Sequence, residues 1–250
     1  MKEFLWKNKR QSLISLLILI ILWELLAIKI NKEIYIPRIE KIILSMLDIL
    51  KSKDFINNVF SSLYRTFISF TSALALSIIL GILSLLYPFF RNFLKPINTI
   101  GKTIPTMILV LLALIWFDKN KAPYVVGFAI VFPILYEGIL NSLKEIDKNI
   151  LDMCKVYSVS TKEKVLKIYI PSIMFYIMGI LISSISLAFK VVIAGEVHGQ
   201  PRYGIGAAIQ LEKVNFNTTA IFAWIFIIAL LSLLFELINR LLMKRVYKWR

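Results

Sequence analysis

The sequence predicts an all-α integral membrane protein with six transmembrane helices, and three observations support that class. Hydrophobic residues fill 58% of the 250 positions and charged residues 18%, which is too apolar for a soluble domain of this length. A helix needs roughly 20 apolar residues to cross a hydrocarbon core of about 30 Å. Six apolar segments fit that requirement, and basic residues concentrate around and between them. The segments are 12–28, 66–89, 100–117, 122–142, 172–192 and 218–242.

The first span follows a basic head, residues 1–11. A basic head before an apolar run would also suit a cleaved signal peptide. No small-x-small cleavage motif follows the run, because the chain continues as KEIYIPR. We therefore expect an uncleaved first span.

The distribution of basic residues predicts the orientation. With six spans, the head, the basic tail (243–250) and the lysine-rich segment 143–171 all fall on one side of the membrane. Because cytoplasmic loops are enriched in Lys and Arg, both termini and this segment are expected in the cytoplasm. The connection between the first two spans is also basic although this topology places it outside, so the bias supports the orientation without proving it. Residues 1–250 then form a single transmembrane domain.

The external connection between the first two spans contains an amphipathic pattern. Its apolar residues recur at helical spacing after Pro37, with lysines on either side: Ile42, Ile43, Met46, Leu47 and Leu50. This pattern predicts a helix that either lies on the membrane surface or packs against the edge of the bundle.

The most informative polar interruption lies between the fourth and fifth spans and reads DMCKVYSVSTKEKVLKIYIP from Asp152 to Pro171. Helical spacing predicts one face for Leu151, Cys154 and Tyr157, and the pair at 158–159 ends that helix. Ser160-Thr-Lys-Glu163 is a capping box that begins a second short helix. Two short helices joined by a tight turn would form a rigid knob able to transmit force to the spans. The alternative is an ordinary amphipathic linker.

This segment resembles the EAA loop of ATP-binding-cassette importer permeases, whose pattern is Glu-Ala-Ala-x3-Gly-x9-Ile-x-Leu-Pro. The spacing is retained in full here, whereas several residue types differ. Asp152 stands for the glutamate, Ser158 for the glycine and Ile170 for the leucine. The resemblance implies a coupling loop, between the fourth and fifth helices, with these candidate contact residues: Asp152, Cys154, Tyr157, Ser158, Ser160, Glu163, Ile168 and Pro171.

Further short motifs resemble the nitrate, taurine and aliphatic sulfonate branch of these permeases. Their order and spacing extend the resemblance over nearly the whole chain, although Asp118 stands where that branch usually has Gly. The motifs are Trp23-Glu24, Ile104-Pro105, Ile115-Trp116-Phe117, Phe132-Pro133, Gly195-Glu196 and Tyr203-Gly204-Ile205-Gly206.

The resemblance implies a permease subunit in a prokaryotic plasma membrane. Two copies would form a central pathway, with the loop seated on a separate cytoplasmic ATPase that holds ATP and Mg²⁺. An external binding protein would deliver the solute, which could be nitrate, taurine, another sulfonate or a thiamine precursor.

Charged residues inside apolar segments are candidate functional residues, because burying a charge in a membrane is costly unless it is paired or hydrated. Lys190 and Glu196, near the outer end of the fifth span, are expected either to neutralise each other or to attract an anionic solute. The glycine-rich segment 195–206 predicts a re-entrant or gate-like turn. The candidate pathway and gate residues are Trp116, Glu137, Lys190, Glu196, Gly204 and Gly206.

Other function classes fit the sequence less well. No G-x-x-x-x-G-K-[ST] phosphate loop occurs, so ATP hydrolysis is expected in another polypeptide and no cofactor in this chain. One histidine and one cysteine do not supply the ligands of a usual zinc site, so no metal is expected. We attribute the net charge of +15 to contact with anionic lipid rather than nucleic acid. An ion-gradient-driven secondary transporter or channel remains the alternative, although the two halves show no convincing repeat.

Overall fold

The computed structural model describes the backbone of residues 9–246 and the side chains from 11 to 238 except Ser12. Most of the basic head and tail that entered the topology prediction therefore lies outside the described residues. Within this range the chain is helical and contains no strand. The helices are α1 Lys9–Ile30, α2 Ile39–Lys51, α3 Phe55–Leu86, α4 Pro88–Thr103, α5 Thr106–Trp116, α6 Ala122–Lys144, α7 Lys148–Val156, α8 Thr161–Lys164, α9 Ile170–Gly199, α10 Ile205–Val214 and α11 Thr218–Val246.

Five helices are long and apolar enough to cross a membrane, and a bent pair brings the number to six if it counts as one span. That pair corrects the third predicted span. Instead of one helix over 100–117, α4 and α5 meet at an angle of 106°. Pro105 supplies the physical reason, since a proline disfavours helical backbone at the preceding residue, here Ile104, whose ψ is 126°. The 11 residues of α5 reach only about 16 Å, too short to cross the core alone.

The chain divides into two compact units. One contains residues up to Phe55 together with Ile209–Ala229, and the other contains Ile56–Ala208 together with the residues from Leu230 onward. The first unit holds α1 and α2. Glu24 of α1 accepts a hydrogen bond from the backbone N–H of Ile39 at 3.2 Å, and so caps α2. The amphipathic helix predicted in the external connection is therefore present as α2.

The second unit is built around α6. Residues of α6 contribute to four buried clusters, which pack it against α3, α4, α5 and α9. At its middle, Val131 and Leu135 meet Phe70 of α3 and Ala188 of α9. At its C-terminal end, Leu143 packs with residues that follow the polar loop. The loop is thus attached to the same helix that organises the unit.

A stripe of small residues lets α3 approach α6 closely. The stripe recurs every three or four residues and is buried: Ser62, Thr66, Ser69, Ala73, Ser77, Gly81 and Ser84. Small side chains allow helix backbones to come together in membranes, and their hydroxyls can form interhelical hydrogen bonds. Ser69 Oγ donates to the carbonyl of Tyr124 at 2.9 Å, and Ser84 Oγ lies 2.9 Å from the Tyr136 hydroxyl.

The fifth predicted span begins earlier than its apolar residues suggest. From Thr161 the helix continues through a π-helical turn, Val165–Tyr169, directly into α9. Pro171 lies just after that turn and cannot donate a backbone hydrogen bond. A π-helical turn pairs backbone groups five residues apart instead of four. It therefore replaces the α-helical hydrogen-bond pattern beside Pro171, which has no N–H to donate. Movement of the loop's second helix can therefore pass into the span without an intervening flexible joint.

Candidate coupling loop and buried charge network

The loop between α6 and α9 begins with α7, which presents two different faces. Asp147 caps α7 by accepting a hydrogen bond from the Asn149 N–H at 2.8 Å. The inner face carries Leu151, which packs beside Leu143, and Cys154, which is only 2% exposed. The burial of Cys154 and the packing of the partly buried Leu151 fix α7 to the end of the bundle. A rigid attachment of this kind agrees with the predicted knob.

The opposite face of α7, which we call the outer face, is apolar and exposed. It consists of Ile150, Met153, Val156 and Tyr157, and the last two are 79% and 76% exposed. One element of the sequence prediction is therefore wrong: Tyr157 does not share a face with Leu151 and Cys154. Tyr157 is the residue at the C-terminal end of α7, and its side chain is exposed on the outer face. Asp152 is exposed as well and forms an ion pair with Lys155 at 2.6 Å.

The turn after α7 keeps a left-handed residue although glycine is absent. Ser158 has a φ of 49°. The Ser158 N–H donates to the carbonyl of Lys155 at 3.1 Å, and the Val159 N–H donates to that of Cys154 at 2.9 Å. These two bonds form a Schellman motif, the usual end of a helix with a left-handed residue. The serine therefore forms the turn that the EAA pattern assigns to glycine, at a conformational cost.

That cost gives a prediction for the turn. We expect Ser158→Gly to stabilise the loop by about 1 kcal/mol, because glycine adopts the left-handed conformation without steric strain. Hydrogen exchange of the α7 amides in the purified protein should become slower. Val159→Gly is the matched control: this residue is not left-handed, so the same change should speed exchange. Faster exchange in Ser158→Gly would show that the serine side chain stabilises the turn.

The second loop helix begins as the sequence predicts. Ser160 Oγ accepts a hydrogen bond from the Glu163 N–H at 3.2 Å, and the Glu163 carboxylate accepts one from the Ser160 N–H at 3.3 Å. This reciprocal capping box is confirmed. Ile168 then packs into the cluster of Ile139 and Leu143, so both loop helices are anchored to the same place on α6.

A second constellation of site residues surrounds Glu196 near the end of α9. Its carboxylate is fully buried and accepts hydrogen bonds from Ser62 Oγ at 2.6 Å, Arg65 at 2.6 Å and the Gly206 N–H at 3.1 Å. Arg65 also donates to the carbonyl of Tyr203 at 2.8 Å. The network links α3, α9 and the start of α10 through the ion pair between Arg65 and Glu196, whose carboxylate accepts all three of these hydrogen bonds.

The ion pair corrects the predicted partner of Glu196. Lys190 was one expected partner, but it is exposed, whereas Glu196 is bound by Arg65. Lys190 and Glu196 lie six residues apart on α9, so at 100° per residue their side chains point in directions about 120° apart. Sequence reasoning missed Arg65 and Ser62, because Arg65 precedes the apolar run assigned to the second span. The sequence feature that could have revealed this partner is an arginine, Arg65, next to an apolar run that is rich in serine.

The glycine-rich segment also differs from its prediction. Gly195 and Gly199 lie inside α9, so the turn is confined to the residues between Gln200, whose φ is 46°, and Gly204. A Cβ on Gly195 would come within 2.9 Å of the Pro123 Cα, which explains the need for a glycine there. The segment is a short helix connection held by Glu196, instead of a re-entrant turn over 195–206.

The remaining candidate pathway residues lie apart from this network. Trp116 ends α5 with 69% of its surface exposed. Glu137 forms an ion pair with Lys102 of α4. The structure therefore does not bring Trp116, Glu137, Lys190 and Glu196 together into one site.

Asp118 accounts for the turn between α5 and α6. Its carboxylate accepts hydrogen bonds from the backbone N–H groups of Asn120 at 2.9 Å and Lys121 at 3.2 Å. The bond from Asn120 is the largest contribution that lowers the pKa of the Asp118 carboxyl below its ordinary value. An aspartate can thus form this turn where the nitrate and sulfonate branch usually has glycine.

Comparison with known proteins identifies the family. Residues 73–248 match the family model described as "Binding-protein-dependent transport system inner membrane component". The putative aliphatic sulfonates transport permease protein SsuC of Bacillus subtilis is 22% identical over 93% of this chain and 85% of its own length. The formylaminopyrimidine transport permease protein ThiX of Halalkalibacterium halodurans is 26% identical over 87% of each chain.

The fold has a match among solved structures. A chain of the MetNI methionine ABC transporter, in an inward-facing conformation, superposes with a TM-score of 0.64 over 77% of this chain and 96% of that chain. At 15% identity this likeness concerns the fold. The family match extends over more than half of the chain, and it includes α6, the loop and Glu196, whereas Ser62 and Arg65 lie before its first residue. The chain therefore belongs to the binding-protein-dependent inner membrane component family, and it is a multi-pass permease subunit of an ABC importer whose family works with an ATPase and a binding protein.

Proposed function

We propose that the outer face of α7 is the surface through which this permease couples to its ATPase. The observation that carries the proposal is the contrast between the two faces of a nine-residue helix. The inner face is buried against α6, whereas Val156 and Tyr157 of the outer face are more than three-quarters exposed. An exposed apolar patch on a rigid support is typical of a protein interaction site. Asp152, at the edge of this face, would contribute charge.

A charge placed on the outer face tests this proposal. We expect Val156→Asp to lower ATPase association and transport at least tenfold, because an apolar contact is replaced by a carboxylate that must lose its hydration. Folding should be unaffected, since Val156 is 79% exposed. Co-purification of the ATPase and transport in reconstituted vesicles measure both effects.

The matched control is Lys148→Asp. It adds a carboxylate at the start of the same helix, where negative charge is favourable, and it leaves the outer face intact. We expect normal assembly and transport in this control. Wild-type assembly and transport in Val156→Asp would exclude the outer face as the coupling surface.

We further propose that the loop and both termini face the cytoplasm, in a prokaryotic plasma membrane. Cys154 cannot report this by thiol labelling, because it is 2% exposed. Cysteines introduced in a Cys154→Ala background can report it. In cells that make the permease without its ATPase, which would otherwise cover Val156, we expect Lys119→Cys, in the connection before α6, to react with a membrane-impermeant maleimide while the cells are intact. Val156→Cys should react only after the membrane is opened. The reverse pattern would invert the topology.

The proposal includes a second copy of this chain and a small solute. Two copies would enclose the pathway, with membrane lipid around them, and a binding protein would deliver nitrate, taurine, another sulfonate or a thiamine precursor. The names of the sulfonate and formylaminopyrimidine permeases support that range. Exposed Lys190 is a candidate for attracting an anionic solute. Uptake of labelled taurine, nitrate and formylaminopyrimidine by the assembled importer tests the solute class.

A further inference from the structure

A polar cavity separate from the outer face lies at the C-terminal end of α6. It has a volume of about 380 Å³ and lies between α4 and the last turns of α6. Because the loop follows directly after Lys144, the cavity and the loop share one end of this helix. Its basic lining residues are Arg91, Lys95, Lys102 and Lys144, and Glu137 is its acidic residue.

The charges of this cavity are unbalanced. Glu137 pairs with Lys102. Among the described side chains, no carboxylate forms an ion pair with Arg91, Lys95 or Lys144. A concave site with several positive charges and a low-dielectric wall concentrates anions. The cavity is therefore suited to a negatively charged group.

Asn98 gives an independent indication of a ligand. It lines the cavity from α4 and is 8% exposed, yet its Oδ1 atom has no hydrogen-bond partner in the part of the chain that the structure describes. Buried acceptors are almost always satisfied, because leaving one unpaired is costly. A rotation of the Asn98 side chain would turn this acceptor, which has almost no accessible surface of its own, toward the cavity, where a ligand with an N–H or O–H group would satisfy it.

We propose that this cavity binds a small oxyanion of the phosphate or sulfonate type that also carries an N–H or O–H donor. The oxyanion would contact Arg91 and Lys95, and the donor would contact Asn98. Hydrogen bonds from a charged donor to a phosphate or sulfonate oxygen are stronger than hydrogen bonds between neutral groups, and arginine can bind such an oxyanion through two parallel donors. The cavity volume lies in the range of small-molecule sites.

Two sources could supply this chemistry. One is the headgroup of a membrane lipid. The other is the transported solute on its way out of the pathway. Neither source depends on how α7 contacts the ATPase, so a binding test of the permease alone is independent of the proposed coupling surface.

The test uses the full chain purified in a neutral detergent and isothermal titration. The lipid arm uses dioctanoyl-phosphatidylglycerol, compared with dioctanoyl-phosphatidylcholine, which is neutral and lacks a headgroup donor. The solute arm uses taurine, compared with methanesulfonate, which keeps the sulfonate and lacks the donor. We expect one of the two donor-bearing probes to bind saturably and at least tenfold more tightly than its comparison compound. The arm that responds identifies the source.

Variants locate the binding. Arg91→Gln and Asn98→Leu should each weaken it about tenfold or more, whereas Lys119→Gln, which removes one positive charge before the other end of α6, should leave it unchanged. Because Arg91 is exposed, its variant should fold even if Asn98→Leu does not. Absence of saturable binding in both arms overturns the proposal. Equal affinity in wild type and Arg91→Gln, or equal losses in Arg91→Gln and Lys119→Gln, overturns it as well.

Discussion

Replacing Arg65 by methionine is expected to destabilise the folded permease by about 3–5 kcal/mol, because it leaves the Glu196 carboxylate buried without its counter-charge. Glu196 has no exposed surface, and Arg65 binds it at 2.6 Å. Most of the protein should therefore be lost as aggregate during purification, or should melt at a much lower temperature. Size-exclusion chromatography and thermal denaturation in detergent measure the effect.

Two variants show whether the buried charge is the cause. The double variant Arg65→Met with Glu196→Gln removes both charges and keeps an acceptor for Ser62, so it should be more stable than Arg65→Met alone. Lys190→Met is the control for loss of a positive charge, and it should leave the melting temperature unchanged because Lys190 is exposed. If Lys190→Met destabilises the protein as much as Arg65→Met, the assignment of the Glu196 partner is wrong.

The second large effect is expected for Gly206→Ala. A Cβ at this position would meet the carbonyl oxygen of Ile193, the Cβ of Glu196 at 2.6 Å and the backbone nitrogen of Val197 at 2.7 Å. Two of these atoms belong to the α9 backbone, so a side-chain rotation cannot relieve the clash. Separating α10 from α9 would also break the bond from the Gly206 N–H to Glu196. We expect a loss of more than about 3 kcal/mol, in the range of severe core substitutions.

Gly179→Ala is the matched control for that loss. Gly179 lies on α9 as well, and a Cβ there would meet no atom within 4 Å in this chain. Alanine has the higher helix propensity, by about 1 kcal/mol, so this variant should be neutral or slightly more stable. Comparison of the two melting temperatures measures the effect of the close approach. A neutral Gly206→Ala would mean that α10 can move away from α9 without cost.

Much of the coupling loop could be predicted from the sequence because its signals are local. The capping box depends on residues three positions apart, and Ser160 and Glu163 form it as predicted. The helix end at Ser158 also follows from neighbouring residues, because its two hydrogen bonds close within six positions. The outward direction of Tyr157 was not predictable in this way, since it depends on which face of α7 the end of the bundle covers.

The buried network was beyond sequence reasoning, because its members are far apart along the chain. Arg65 and Glu196 are separated by 131 positions, and Lys190 was the nearer positive charge. Proximity in sequence therefore suggested the wrong pair. The cavity beside α4 was missed for a related reason: Arg91 and Lys144 converge only because the chain bends by 106° after α4.

By itself the sequence determined the membrane class, the approximate positions of the spans and the loop pattern, since hydropathy and capping depend on residues within a few turns of one another. Only the tertiary structure decided the partner of Glu196, the bend in the third span and the outward face of α7. These features depend on which helices meet, and helix contacts in a membrane are selected by small residues and polar side chains distributed over the whole chain. The stripe from Ser62 to Ser84 and the carboxylate of Glu196 make that selection here.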